Sequence, residues 1–232
     1  MKVIGLLGGM SWESTAEYYR LINEGVLGRL GGLHSAEIVM YSVDFEPIEK
    51  LQHAGDWAAA AQVLINAGRR VEAGGADFLL ICTNTMHKLA DEIADAVGIP
   101  LLHIADATAE AVKSARMSRV GLLGTKFTME EDFYRGRLAG KHGIEVLIPS
   151  DTDREGVHRV IYDELCLGTI REESKREFAR IIDDLADRGA EGVILGCTEI
   201  GLLVKPGDAA VPLFDTTTIH AAAAVELALR DE

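Results

Sequence analysis

A cysteine and a threonine lie at equivalent places in the chain, each just past an apolar segment. Cys197 follows the segment Gly192–Gly196, and Thr83 follows the segment Asp77–Cys82. A thiol and a hydroxyl on opposite faces of one carbon could remove its proton from one face and return a proton to the other. The pair therefore indicates inversion of a carbon centre that carries an acidic proton.

The equivalence of the two residues comes from an internal repeat. Three segments recur in the same order: Val3–Gly8 as Arg119–Gly124, Gly75–Ile81 as Gly189–Leu195, and Ile99–Leu102 as Val211–Phe214. The offsets are 116, 114 and 112 positions, and the middle offset aligns Thr83 with Cys197. The repeat predicts two halves, one formed by residues 1–105 plus 215–232 and the other by residues 106–214.

Short segments rich in Val, Ile and Leu alternate with longer amphipathic segments, which is typical of a parallel α/β sheet. Strands are predicted near Lys2–Leu7, Ala36–Tyr41, Asp77–Cys82, Leu101–Ile104, Arg119–Leu123, Glu145–Ile148, Gly192–Gly196 and Val211–Phe214. The predicted fold is α/β, with two similar parallel-sheet halves related by a pseudo-twofold axis. Because open α/β sheets bind ligands at the carboxyl ends of their strands, we expect the active site in the cleft between the halves.

Composition excludes several classes of protein. The net charge of −14 and the absence of a basic stripe argue against a nucleic-acid partner. No apolar run reaches the roughly 18 residues that a membrane span needs. Three cysteines cannot all pair, and the first residues do not resemble a signal peptide, so we expect reduced thiols and a cytoplasmic protein. The histidines lack metal-ligand spacing, and the opening glycines lack the dinucleotide-binding pattern, so neither a metal nor a cofactor is expected.

Three motifs resemble those of the cofactor-independent aspartate/glutamate racemase superfamily. The loop Gly5–Ser11 is similar to its opening loop, and the runs Cys82–His87 and Gly196–Glu199 resemble its two signatures. The run Gly8–Ser14, taken with Cys82–His87, resembles the bacterial broad-specificity amino-acid racemase subgroup. The resemblance covers essentially the whole chain. It implies an isomerase, homodimeric and independent of pyridoxal phosphate, that inverts the α-carbon of an amino acid.

The resemblance implies Thr83 and Cys197 as the catalytic residues, with Cys82 as the alternative to Thr83. The family usually has its first cysteine directly before Asn-Thr or Asn-Ser, a position that Thr83 holds here. Since a threonine hydroxyl is a poor base, we expect the enzyme to react faster with the substrate enantiomer whose α-proton faces Cys197. The pKa of the Cys197 thiol is expected to be lowered by a nearby helix terminus.

The remaining site residues are expected to bind the substrate or to support the catalytic pair. The expected substrate-binding residues are Met10, Ser11, Gln52, Asn84, Thr85, Thr125 and Thr198. His87 and Glu199 are expected behind them, where they could tune or relay protons. Cys166 aligns with a substrate-binding lysine of the aspartate racemases and is interpreted as a core residue. The segment Ile48–Gln52 has no arginine where the family has one, so aspartate, glutamate and a polar neutral amino acid such as homoserine all stay open.

Two other functions are compatible with the same sequence. Related proteins isomerise maleate, decarboxylate malonate derivatives or racemise hydantoins. A non-catalytic amino-acid-binding protein is the further alternative, because Thr83 replaces one of the family's two cysteines.

Overall fold

Seven parallel strands are formed by residues 1–230, which are the residues that the computed structural model describes. They are β1 (Ile4–Gly8), β2 (Ile38–Ser42), β3 (Phe78–Ile81), β4 (Arg119–Gly124), β5 (Glu145–Leu147), β6 (Gly192–Gly196) and β7 (Leu213–Asp215). The predicted half 215–232 ends in Asp231 and Glu232, which lie outside the described residues.

Eleven α-helices are formed by the same residues. They are α1 (Trp12–Leu30), α2 (Phe45–His53), α3 (Trp57–Ala73), α4 (Ala90–Ala96), α5 (Ile104–Ser114), α6 (Lys126–Glu130), α7 (Asp132–His142), α8 (Asp151–Asp163), α9 (Glu172–Asp187), α10 (Ile200–Leu203) and α11 (Thr216–Leu229). Three short 3₁₀ helices, Thr85–Leu89, Leu165–Leu167 and Pro206–Asp208, complete the secondary structure of the described chain. None of these helices is both long and apolar enough to cross a bilayer.

The chain divides into two units, each built around one sheet. The first unit is Met1–Ile104 with the described part of His220–Glu232, and the second is Ala105–Ile219. The strand order is β2-β1-β3 in the first sheet and β5-β4-β6-β7 in the second, with every neighbouring pair parallel. The predicted fold class, two similar parallel-sheet α/β halves, is confirmed.

The first sheet is buried because apolar residues cover both of its faces. Successive residues of a strand point to opposite faces, and β1 follows this rule. Leu7 packs in a cluster with residues of α3 such as Leu64, whereas Leu6 packs with Tyr18 of α1 and Val225 of α11. Burial on both faces explains why β1 and β3 are continuously apolar, as strands of parallel sheets commonly are.

The centre of the second sheet is also buried from solvent. Every residue of β6 is buried, and Val120 of β4 is completely inaccessible to solvent. Helix α9 covers this sheet with Phe178 and Ile182, which are also fully buried. The glycine Gly196 at the end of β6 allows close approach to β4, since a Cβ atom there would lie 3.0 Å from the carbonyl oxygen of Leu123.

One predicted strand is wrong. In the segment Leu101–Ile104 only Leu101 forms a bridge, to Leu79 of β3, and helix α5 begins at Ile104. The chain therefore leaves the sheet after one paired residue.

Candidate active site

The loop after β6 places a thiol and a carboxylate side by side. Cys197 is 9% exposed and Glu199 is 5% exposed. The Cys197 Sγ donates a hydrogen bond to Glu199 Oε2 at 3.0 Å, and the Thr198 hydroxyl donates to the same oxygen at 2.6 Å. One buried carboxylate oxygen therefore accepts bonds from both of the residues before it.

This arrangement favours the protonated form of the thiol. Burial raises the pKa of Cys197 well above the ordinary value, and the negative charge of Glu199 raises this pKa further. The expectation of a lowered pKa is wrong. Helix α10 begins three residues after Cys197 and has only four residues, so it provides little of the dipole that the expectation required.

Cys166 lies near Cys197 rather than in the core. It is half-buried on the 3₁₀ helix Leu165–Leu167, which packs against α10, and its thiol adds to the rise in the pKa of Cys197. The interpretation of Cys166 as a core residue is therefore wrong. Its alignment with a substrate-binding lysine was the sequence signal that pointed to this location.

Thr125 follows the neighbouring strand in the same unit. Gly124 of β4 is paired with Gly196 of β6, so Thr125 and Cys197 both begin loops at the same edge of the sheet. Thr125 is buried and caps α6 by accepting a hydrogen bond from the Thr128 main-chain N–H at 3.3 Å.

In the first unit, the loop after β1 is fixed by a side chain that our sequence analysis did not identify. The Thr15 hydroxyl accepts a hydrogen bond from the Gly9 N–H and donates one to the Ser11 carbonyl, both at 2.8 Å. Gly9 has a φ of +95°, and a Cβ atom there would lie 2.2 Å from the Val43 carbonyl oxygen. Ser11 is the N-cap of α1, and its hydroxyl accepts a bond from the Ser14 N–H. The close run of glycines and hydroxyl residues was the available signal.

The loop after β3 separates Cys82 from Thr83. Cys82 is completely buried in the core with Leu6 and Tyr18, and burial raises the pKa of its thiol. Thr83 is half-buried, while Asn84 and Thr85 are buried at the start of the 3₁₀ helix Thr85–Leu89.

The other predicted residues of this unit are also buried. Met10 packs in the apolar cluster with Leu7, and Gln52 lies on α2 with 2% of its surface exposed. The His87 ring binds the main chain of Thr83 and of Ile104. Since β1 and β3 are neighbouring strands, the loops that carry Ser11 and Thr83 leave the same edge of the first sheet.

Neither unit holds a recognisable metal centre in residues 1–230, since no cluster of three or more His, Cys, Asp or Glu side chains has a suitable arrangement. The chemically distinctive groups of each unit lie at the carboxyl edge of its sheet. The first unit presents a half-buried hydroxyl at Thr83, and the second presents a thiol paired with a carboxylate.

Comparisons with known proteins show the family to which this chain belongs. The model of the Asp/Glu/hydantoin racemase family matches residues 7–224. A crystal structure of a candidate Asp/Glu racemase from Yersinia pestis is 59% identical, with a TM-score of 0.93 over 99% of this chain and 100% of that chain. An aspartate racemase homologue from Pyrococcus horikoshii OT3 is 36% identical, with a TM-score of 0.86 over 99% and 100% of the two chains. The broad specificity amino-acid racemase RacX of Bacillus subtilis (strain 168) is 23% identical over 96% of each chain. The predicted resemblance and the predicted enzyme class, isomerase, are confirmed by these matches.

Proposed function

Because the chain belongs to the Asp/Glu/hydantoin racemase family, we propose that it is a cofactor-independent amino-acid racemase. Cys197 and Thr83 act on opposite faces of the α-carbon. The observation that carries the proposal is the hydrogen bond from the Cys197 thiol to the buried Glu199 carboxylate. This contact gives the thiol proton an acceptor, without which a thiol with a raised pKa would stay protonated and could not act as a base.

The proposed proton transfers balance in the direction in which Cys197 removes the α-proton. Glu199 accepts the thiol proton of Cys197, and the resulting thiolate removes the α-proton of the bound amino acid. The Thr83 hydroxyl donates a proton to the opposite face and regains one from water. The inverted amino acid then leaves, and Cys197 returns its surplus proton to solvent while Glu199 returns the original proton to the thiol.

The choice of Thr83 over Cys82 is supported by burial. The Cys82 side chain packs among the core residues Leu6 and Tyr18, whereas Thr83 retains a solvent-exposed portion. A threonine hydroxyl releases its proton far less readily than a thiol, so almost none of it is in the ionised form that could act as a base near neutral pH. We therefore propose an asymmetric racemase, faster with the amino-acid hand whose α-proton faces Cys197.

The proposed substrates are aspartate, glutamate or a polar neutral amino acid such as homoserine. Ser11, Asn84, Thr85, Thr125 and Thr198 are proposed to bind the substrate's carboxylate and ammonium groups, and Met10 to support them by packing. Gln52, which is neutral and buried on α2, is proposed to contact the side chain of the substrate. An amide provides one donor group where the family has a bidentate arginine, so it selects less strongly for a second carboxylate.

The proposed enzyme works without pyridoxal phosphate and forms a homodimer, a state that light scattering measures directly. No nucleic-acid or membrane partner is part of the proposal.

The proposal is tested by α-proton exchange in D₂O, followed by NMR, with the L and D forms of aspartate, glutamate and homoserine. No pyridoxal phosphate is added. The wild-type chain should exchange and invert at least one of these amino acids, and Cys197→Ala should abolish both processes. Thr83→Ala should abolish inversion but keep α-proton exchange of the enantiomer whose α-proton faces Cys197. Racemisation that survives in Cys197→Ala would overturn the proposal, and so would a folded wild-type protein that exchanges none of the six compounds.

A further inference from the structure

We infer that His87 is a positioning residue that holds the main chain of Thr83 through a neutral imidazole ring protonated on Nδ1. The inference rests on the proposed function, since Thr83 is one of the two proposed catalytic residues. It gives His87 a role distinct from proton relay.

The two hydrogen bonds of the ring fix its orientation. His87 Nδ1 lies 2.7 Å from the Thr83 carbonyl oxygen, and His87 Nε2 lies 3.2 Å from the main-chain nitrogen of Ile104. The ring thus connects the loop after β3 to the first residue of α5. Only 2% of the residue is exposed, so water does not compete strongly for these bonds.

The partners also determine which ring nitrogen is protonated. A carbonyl oxygen can only accept a hydrogen bond, so Nδ1 carries the proton that points to Thr83. The Ile104 N–H can only donate, so Nε2 must be unprotonated. A charged ring would direct an N–H group at another N–H group, and a ring protonated on Nε2 alone would lose both bonds. The neutral ring with a proton on Nδ1 is therefore the form that fits.

A second buried histidine shows the opposite pattern and provides a matched comparison. His220 Nε2 lies 2.8 Å from the Leu102 carbonyl oxygen, and His220 Nδ1 accepts a bond from the Tyr18 hydroxyl at 2.8 Å. The rings of His87 and His220 are 5.8 Å apart. Both imidazoles hold a main-chain carbonyl of the first unit, but only His87 holds the carbonyl of a proposed catalytic residue.

The proposed mechanism predicts how a loosened Thr83 would be detected. With the enantiomer whose α-proton faces Cys197, exchange with retention needs Cys197 and Glu199 but not Thr83, whereas inversion also needs a proton from Thr83. The ratio of inversion to retained exchange therefore reports on Thr83. General loss of folded protein lowers both rates together and leaves this ratio unchanged.

Three variants separate the roles of the two nitrogens. In His87→Gln the side-chain amide can reach the Ile104 N–H but not the Thr83 carbonyl, and we expect the ratio to fall about tenfold. In His87→Asn the amide N–H takes the place of Nδ1–H, and we expect the ratio to return to within about threefold of the wild-type value. His220→Asn removes the donor from the Leu102 carbonyl, and we expect it to lower stability while the ratio stays unchanged.

The inference is overturned if His87→Gln keeps the wild-type ratio, or if His220→Asn lowers the ratio as much as His87→Gln does. A second measurement does not depend on activity. Long-range ¹H–¹⁵N NMR of histidine-labelled protein, with His87 assigned from its loss in His87→Asn, should show a proton on Nδ1 and none on Nε2. A ring protonated on Nε2 would overturn the inference directly.

The two hypotheses fail in distinguishable ways. If the wild-type protein exchanges no α-proton, the proposed function fails and the positioning role of His87 in catalysis fails with it. The NMR measurement would still show whether His87 holds the Thr83 main chain. If the wild-type protein racemises and His87→Gln has the wild-type ratio, the proposed function stands and only the role of His87 is lost.

Discussion

Replacing Glu199 with glutamine tests the central feature of the proposed reaction, because it removes the carboxylate and keeps its shape. The amide oxygen of glutamine can still accept bonds from Cys197 and Thr198, which now lie 3.0 and 2.6 Å from a carboxylate oxygen. Each bond changes from charge-assisted to neutral, a loss of about 1 kcal/mol per bond. We expect the variant to fold, with a free energy of unfolding about 2 kcal/mol below the wild-type value.

The effect on catalysis should be larger than the effect on folding. A positioned general base contributes about 10²–10⁴-fold to a rate. The Glu199 charge also raises the pKa of Cys197, so its removal makes the thiolate easier to form and offsets part of the loss. We expect the rate of α-proton exchange to fall about 100-fold for the enantiomer whose α-proton faces Cys197, which corresponds to a rise of ~2.7 kcal/mol in the activation barrier.

The pH dependence distinguishes a proton acceptor from a structural contact. In the wild-type protein Glu199 takes the thiol proton within the site, so the exchange rate, measured as kcat/KM in buffered D₂O, should change little between neutral and alkaline pH. In Glu199→Gln the thiol must lose its proton to solvent, and because burial still raises its pKa, the exchange rate should be low at neutral pH and rise with pH. Glu92→Gln, an exposed carboxylate on α4, serves as the control and should match the wild type. A Glu199→Gln variant within threefold of the wild-type rate, or one with an unmoved pH profile, would refute the reasoning.

Three further predictions concern the structure that supports the site. Gly9→Ala should prevent formation of the native loop, because Gly9 has a φ of +95° and the new Cβ atom would lie 2.2 Å from the Val43 carbonyl oxygen. Thermal unfolding followed by circular dichroism should show a Tm lower by several degrees, or no folded protein. Burial lowers the pKa of His220 to about 4, so the free energy of unfolding should fall by up to about 3 kcal/mol as the pH decreases from 6.5 towards 4. Urea titrations should show that the free energy of unfolding depends less on pH in His220→Leu than in the wild type. Burial alone would raise the pKa of Asp106, but its hydrogen bonds with Arg137, Lys141 and His142 hold that pKa well below the usual range. Asp106→Asn should therefore lower the free energy of unfolding by about 1–3 kcal/mol at pH 7, as measured in urea. This difference between variant and wild type should shrink as the pH falls below about 4.

The sheets could be predicted from sequence because their strands are buried on both faces. A continuous run such as the one in β6 has few alternatives to a central parallel strand. The segment Leu101–Ile104 is also mostly apolar, but it pairs at one residue only, since α5 begins at Ile104. Helix α2 was not predicted, because nine residues provide too short a pattern to distinguish a helix from a loop.

The electrostatics of the site could not be predicted in the same way. The sequence placed Cys197 after an apolar strand, but the direction of its pKa shift depends on burial and on the orientation of the Glu199 side chain. The location of Cys166 likewise depends on how its 3₁₀ helix packs against α10. The predicted domain boundaries stay predictions. The proposed catalytic roles also stay predictions, and the exchange measurements described above test them.

The internal repeat explains why the two halves of the proposed reaction should be unequal. The offset that aligns Thr83 with Cys197 also aligns Thr85 with Glu199. The loop after β3 therefore has a second hydroxyl at the position where the loop after β6 has a carboxylate. Thiol and proton acceptor therefore occur together in the second unit, and the first unit has neither at the matching positions. The same offset aligns His87 with Gly201, so the main-chain support of Thr83 has no counterpart beside Cys197. Accurate placement of a reacting group lowers an activation barrier. The contact between His87 and the Thr83 carbonyl is why we assign the positioning residue to the Thr83 side.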